Sequence, residues 1–135
     1  MSYPIQDIEG IGPTFGEKLA VAGINTTDDL LNGCCGRSGR KSAAEKTGVS
    51  ETLILKWTNM ADMMRISGIG PQFAEMLEAA GVDTVKELAT RRADNLAAKM
   101  LEVNEAKNLA NATPAESIVA GWIDAAKSTE PKITH

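Results

Sequence analysis

Little in this chain supplies catalytic chemistry. Its one histidine is His135, the last of 135 residues, which leaves no internal imidazole to serve as base for a serine or cysteine nucleophile. Its two cysteines, Cys34 and Cys35, are neighbours. A disulfide between adjacent residues closes a strained ring, and the pair lacks the two-residue gap of metal-binding or redox motifs. Reduced thiols in a cytosolic protein, with no metal and no cofactor, are the expectation. Paired carboxylates such as Asp28 and Asp29 suit a helix dipole better than acid–base chemistry.

Long apolar runs are also missing: none approaches the roughly 20 residues that span a bilayer. Residues 1–7 show neither the basic region nor the apolar stretch of a secretory signal. A cytoplasmic location without a membrane partner follows as the expectation. Positive charge is in short supply. Fourteen Lys and Arg face 18 Asp and Glu, for a net charge of -4, whereas proteins that live on nucleic acid usually carry a basic excess. Residues 1–62 hold six basic against eight acidic side chains and residues 63–135 hold eight against ten, so neither half is a basic arm.

What is present is a repeat. The segment Ile8-Glu9-Gly10-Ile11-Gly12-Pro13-Thr14-Phe15-Gly16-Glu17-Lys18-Leu19-Ala20-Val21-Ala22-Gly23-Ile24 returns 58 residues later as Ile66-Ser67-Gly68-Ile69-Gly70-Pro71-Gln72-Phe73-Ala74-Glu75-Met76-Leu77-Glu78-Ala79-Ala80-Gly81-Val82, with ten of 17 positions identical. Thr26 and Thr84 continue the match. Around Trp57 and Trp122 the offset grows to 65, so the second copy carries about seven extra residues. Hydrophobic residues make up 43% of the chain, enough for one shared core. We divide the chain into a first repeat at 1–62, a second at 63–127 and a polar tail at 128–135 that is either loose or docked extended. No linker composition marks the junction, where Met60, Met63 and Met64 read as shared core or as an adaptable docking patch.

The pattern within each copy predicts an all-α fold of two pseudo-symmetric units in one domain. Gly-Ile-Gly-Pro turns sharply, and proline then opens a helix. Phe15, Leu19 and Ala22 form an apolar stripe at helical spacing, and Gly23 ends it in a left-handed cap. Thr26 or Thr27 caps the next helix. Ser50 and the Thr113-Pro114 pair are read as starts of the tryptophan helices, whose Trp57 and Trp122 face the core rather than stack on bases.

Through the apolar-x-Gly-apolar-Gly-Pro signature at 8–13 and 66–71, the chain resembles the helix-hairpin-helix superfamily. Over both repeats, the 36–48 segment, the Trp57 helix and the tail, it looks like an uncharacterised bacterial family of tandem helix-hairpin-helix proteins, a domain of unknown function. The resemblance implies nucleic-acid contact: amides of Gly10, Gly12, Gly68 and Gly70 at helix N-termini would meet phosphate, with Lys18 adding charge. Thr14 and Gln72, however, stand where the superfamily often carries a basic residue. Glu9, Glu17 and Glu75 put negative charge on or near the turns, and the counterpart of Lys18 is Met76. The densest basic cluster is Arg37, Arg40 and Lys41, read as a solvated glycine-serine loop, with Arg91 and Arg92 in the matching region. Three or four phosphate contacts there would give weak, salt-dependent, sequence-independent binding. The sequence therefore points first to a non-enzymatic module that contacts a protein partner, with nucleic acid as the alternative ligand.

Overall fold

A turn that needs left-handed backbone opens each unit. In the computed structural model, which describes residues 2–134, Gly10 and Gly68 both hold φ at +94°, where a Cβ would be strained. From these turns run α1 (Gly12–Val21) and α5 (Pro71–Ala79). The two helices end alike. The N–H of Gly23 donates to the Ala20 carbonyl and that of Ile24 to Leu19; in the later unit Gly81 donates to Glu78 and Val82 to Leu77. This bond pair satisfies the last carbonyls and folds the apolar residue after the glycine back onto its helix.

Threonine starts the next helix in each unit. The side-chain oxygens of Thr26 and Thr84 accept from the N–H groups of Asp29 and Glu87, at the heads of α2 (Thr27–Cys34) and α6 (Val85–Leu88). At Thr26 the cap is reciprocal, because the Asp29 carboxylate accepts from the N–H groups of Asn25 and Thr26. Four further helices follow in matching order: α3 (Arg37–Thr47) and α4 (Glu51–Met63) in the first unit, α7 (Ala93–Lys107) and α8 (Glu116–Lys127) in the second. Among the described residues the fold is all-helical, and no helix is long and apolar enough to cross a membrane.

Two local expectations need correction. Residues 37–41 are not a loop; they form the first turn of α3. The glycines and serine that suggest flexibility serve packing instead, since a Cβ on Gly39 would overlap the Gly33 carbonyl oxygen where α2 and α3 cross. The Thr113-Pro114 pair does not cap α8 either. That helix starts at Glu116 with Ala115 in the cap position and no side-chain bond there, whereas Ser50 does cap α4 by accepting from the Leu53 N–H.

The core is a single apolar cluster fed by both units. Its centre is α4, which packs on α2 and α3 within its own unit and on α5 across the junction. Every residue from Trp57 to Met64 is buried, as befits a helix surrounded on all sides. Met60, Met63 and Met64 therefore fill core rather than form an exposed patch. Trp57 meets Phe15 with ring centroids 5.2 Å apart, and Trp122 meets Phe73 at 5.3 Å, both tilted. The matched pairs place an aromatic clamp beneath each turn: a Cβ on Gly10 would sit 3.7 Å from the Trp57 Nε1, and one on Gly68 would sit 3.1 Å from the Trp122 Nε1.

The likeness of the units breaks at the second glycine of each turn. Gly12 has φ +60°, while Gly70 is extended at φ -94° and ψ -171°. Most of the second unit's extra length lies between α7 and α8, and Asn104 pins it. The Asn104 side-chain N–H donates to the Ala110 carbonyl, and its oxygen accepts from the Ala110 N–H.

Candidate interaction surface at the paired turns

The two turns lie next to each other. Asp7 and Glu9, which lead into the first turn, line a cleft of about 540 Å³ together with Gly68, Gly70, Pro71, Gln72 and Phe73 of the second. The first turn's acidic approach thus shares a cleft with the glycines and proline that open the second unit's first helix. Glu75, one turn into α5, shares this field. Burial pushes its carboxyl above the usual range, and the charge of Glu9 adds to the effect; Glu78 acts in the same direction, while Lys56 and Lys107 oppose it. Sharing Asp7 with this cleft, a second hollow of about 450 Å³ between the N-terminal segment and α1 is lined by Asp7, Gly16 and Glu17 among others.

The expected phosphate contacts are dispersed, and three of their six basic side chains, Arg40, Arg91 and Arg92, are bonded within the protein. Gly10 and Gly68 sit at the exposed turns, and Gly12 and Gly70 are half-buried. Lys18 is exposed, with its ammonium 5.6 Å from the Phe15 ring centroid. Arg37 and Lys41 project from the first turn of α3 into solvent. Arg40 does not: it is only 4% exposed. Its Nη1 donates to the Cys34 and Cys35 carbonyls at 3.1 Å each, and its Nη2 donates to the Thr134 carbonyl at 2.7 Å. Arg91 donates to the Glu87 carboxylate and the Gly81 carbonyl, and Arg92 pairs with Asp94. The basic residues that looked like one cluster therefore split between solvent and scaffold.

A polar cluster that the sequence reading passed over lies at the junction. The Asp62 carboxylate is 1% exposed in its side chain. One oxygen accepts from Nε and Nη2 of Arg65, at 2.9 and 2.6 Å, and the other accepts from the Val85 N–H at 2.8 Å. Arg65 Nη2 also donates to the Glu130 carbonyl at 2.9 Å. The first unit reaches the same end differently, since the Thr27 N–H at the head of α2 donates to the Tyr3 carbonyl. The signal was in the sequence: Asp62 is a lone carboxylate inside Met60-Ala61-Asp62-Met63-Met64, and a charge in an apolar stretch needs a partner.

Cys34 and Cys35 are both free thiols, and burial pushes the Cys34 thiol up. No group of three or more His, Cys, Asp or Glu among the described residues could hold a metal ion; His135 lies outside those residues. No curated protein and no solved structure matches the chain. Residues 9–129, nearly the whole chain, match the family described as a domain of unknown function, DUF4332, and the chain belongs to that family.

Proposed function

We propose that this protein is a cytoplasmic, non-enzymatic interaction module built from two helix-hairpin-helix units, and that the cleft between the turns receives a cationic segment of a partner protein. The equal φ of Gly10 and Gly68, the matching helix ends and the paired Phe-Trp clamps support the repeat. Two free neighbouring thiols suit a reducing compartment. The observation that carries the binding reading is the placement of Asp7 and Glu9 against the second turn, with Glu75 raised behind them. Carboxylates repel a phosphate brought to those amides and attract lysine or arginine. Phe73, half-buried in the same wall, adds a ring face on which a cation can rest.

Nucleic acid is the second reading, and Arg37 and Lys41 at the solvent-facing start of α3 favour it. Fluorescence anisotropy separates the two. Labelled lysine-rich and glutamate-rich peptides, duplex DNA, single-stranded DNA and RNA are titrated at low and near-physiological salt. The cleft reading expects the lysine-rich peptide to bind and to lose about tenfold in affinity in the Asp7→Asn/Glu9→Gln double variant, roughly 1.4 kcal/mol. Nucleic-acid binding that vanishes in Arg37→Ala/Lys41→Ala, with the basic peptide inert, overturns it. Arg40 stays untouched in these variants because its replacement would disturb the scaffold.

A further inference from the structure

The C-terminal tail crosses from the second unit to the first and is held there by its backbone. After α8 ends at Lys127, Arg65 donates to the Glu130 carbonyl, the Thr134 N–H donates to the Cys35 carbonyl, and Arg40 donates to the Thr134 carbonyl. Ile133 packs half-buried against the core cluster. Beneath the tail a hollow of about 310 Å³ is lined by Asp62, Thr84 and Lys86 of the body and by residues 131–134 of the tail.

The groups that grip the tail are fixed by the body of the protein. Asp62 holds the Arg65 guanidinium through two N–H groups, and the Cys34 and Cys35 carbonyls hold Nη1 of Arg40. Those carbonyls sit at the C-terminus of α2, the negative end of its dipole, which suits a buried cation that rests on neutral oxygens. Each guanidinium then turns one N–H toward a peptide carbonyl, and the two carbonyls it meets are four residues apart, at positions 130 and 134. Such contacts read an extended main chain and one apolar side chain, as in other modes of extended-peptide capture.

We infer that this seam is a peptide-binding groove whose resident occupant is the chain's own tail. The ligand it takes in trans is an extended segment of a partner protein with the tail's chemistry: an apolar side chain at the Ile133 register, flanked by polar residues. The tail holds the groove closed to such a segment through its high effective concentration, about millimolar for a short tether. This site is separate from the cleft between the turns and does not depend on that reading.

The test uses the full chain. Ile133→Asp places a charge against the core and loosens the tail without touching either arginine. A fluorescein-labelled peptide of residues 128–135 is titrated against wild-type and Ile133→Asp chains, with far-UV circular dichroism to verify folding. The groove reading expects at least tenfold tighter binding to the variant, and loss of that binding when the peptide itself carries Ile133→Asp. Equal binding to both chains, indifference to the peptide's Ile133, or no binding to the folded variant at millimolar peptide overturns it. Should the variant fail to fold, excess unlabelled peptide on the 15N-labelled wild-type chain decides: release of the chain's own tail, read as a shift of its Thr134 amide away from the position set by the Cys35 carbonyl, supports the groove, and an unmoved Thr134 amide at several millimolar peptide sinks it.

Discussion

Glu75 shows how the chemistry of the cleft reaches one side chain. Its carboxyl is pushed up by burial first and by Glu9 second, so the folded state holds the proton more tightly than the unfolded chain. A raised folded-state value gives stability that is present at low pH and lost as pH rises through that value. Glu75→Gln removes the penalty. Its melting temperature is expected to exceed the wild type's at neutral pH, with the gap closing as pH falls below the ordinary glutamate value of 4.5. Scanning calorimetry across that range checks the sign; a gap that widens on acidification contradicts it. Arg40 carries the opposite lesson. Its charge was visible in the sequence, but its three carbonyl partners are not, because one of them is Thr134, 94 residues away.

Among the helices, α3 is where local and tertiary rules disagree. Arg37, Ser38, Gly39 and Arg40 have the composition of a loop, and the chain nevertheless coils through them. The helix is stabilised by its contacts with α1, α2 and α4, and Gly39 lets the α2 backbone at Gly33 come close. Gly39→Ala would raise intrinsic helix propensity by roughly 1 kcal/mol yet must push the two helices apart. We expect the packing cost to win, with a net loss of about 1–3 kcal/mol read from urea unfolding; a stabilised variant would show that the crossing is slack. The Gly-Ile-Gly-Pro turns, the glycine-ended α1 and α5, and the Thr26, Thr84 and Ser50 caps were legible, because each is set by residues within a few positions. The start of α8 was misread for the converse reason. Thr113 and Pro114 have the right chemistry two positions too early, and the helix begins beyond Ala115.

For the molecule as a whole, the repeat made the all-helical fold readable, since two noisy copies of one pattern reinforce each other. The candidate surface was only half readable. The residues of both turns were identified, but their adjacency, which sets Asp7 and Glu9 against Gly68 and Gly70, depends on how α5 packs on α4 across the junction. Asp62 belongs to this scale as well, for it ties α4, α6 and, through Arg65, the tail. Asp62→Ala leaves a largely buried guanidinium and the Val85 amide unpaired. The expected loss is about 3 kcal/mol or more in chemical denaturation, and tail cleavage by a protease should quicken alongside it. A change under about 1 kcal/mol, the range of a surface ion pair, would mean water replaces both contacts.

The Thr27 amide at the start of α2 bonds to Tyr3, and the Cys35 carbonyl just past its end bonds to Thr134. The two terminal segments are therefore moored at opposite ends of one helix about 12 Å long. An end-to-end pull loads those moorings before it reaches Trp57 or Trp122. The terminal segments would peel away one bond at a time at low force, and the body would then yield in a separate, larger step.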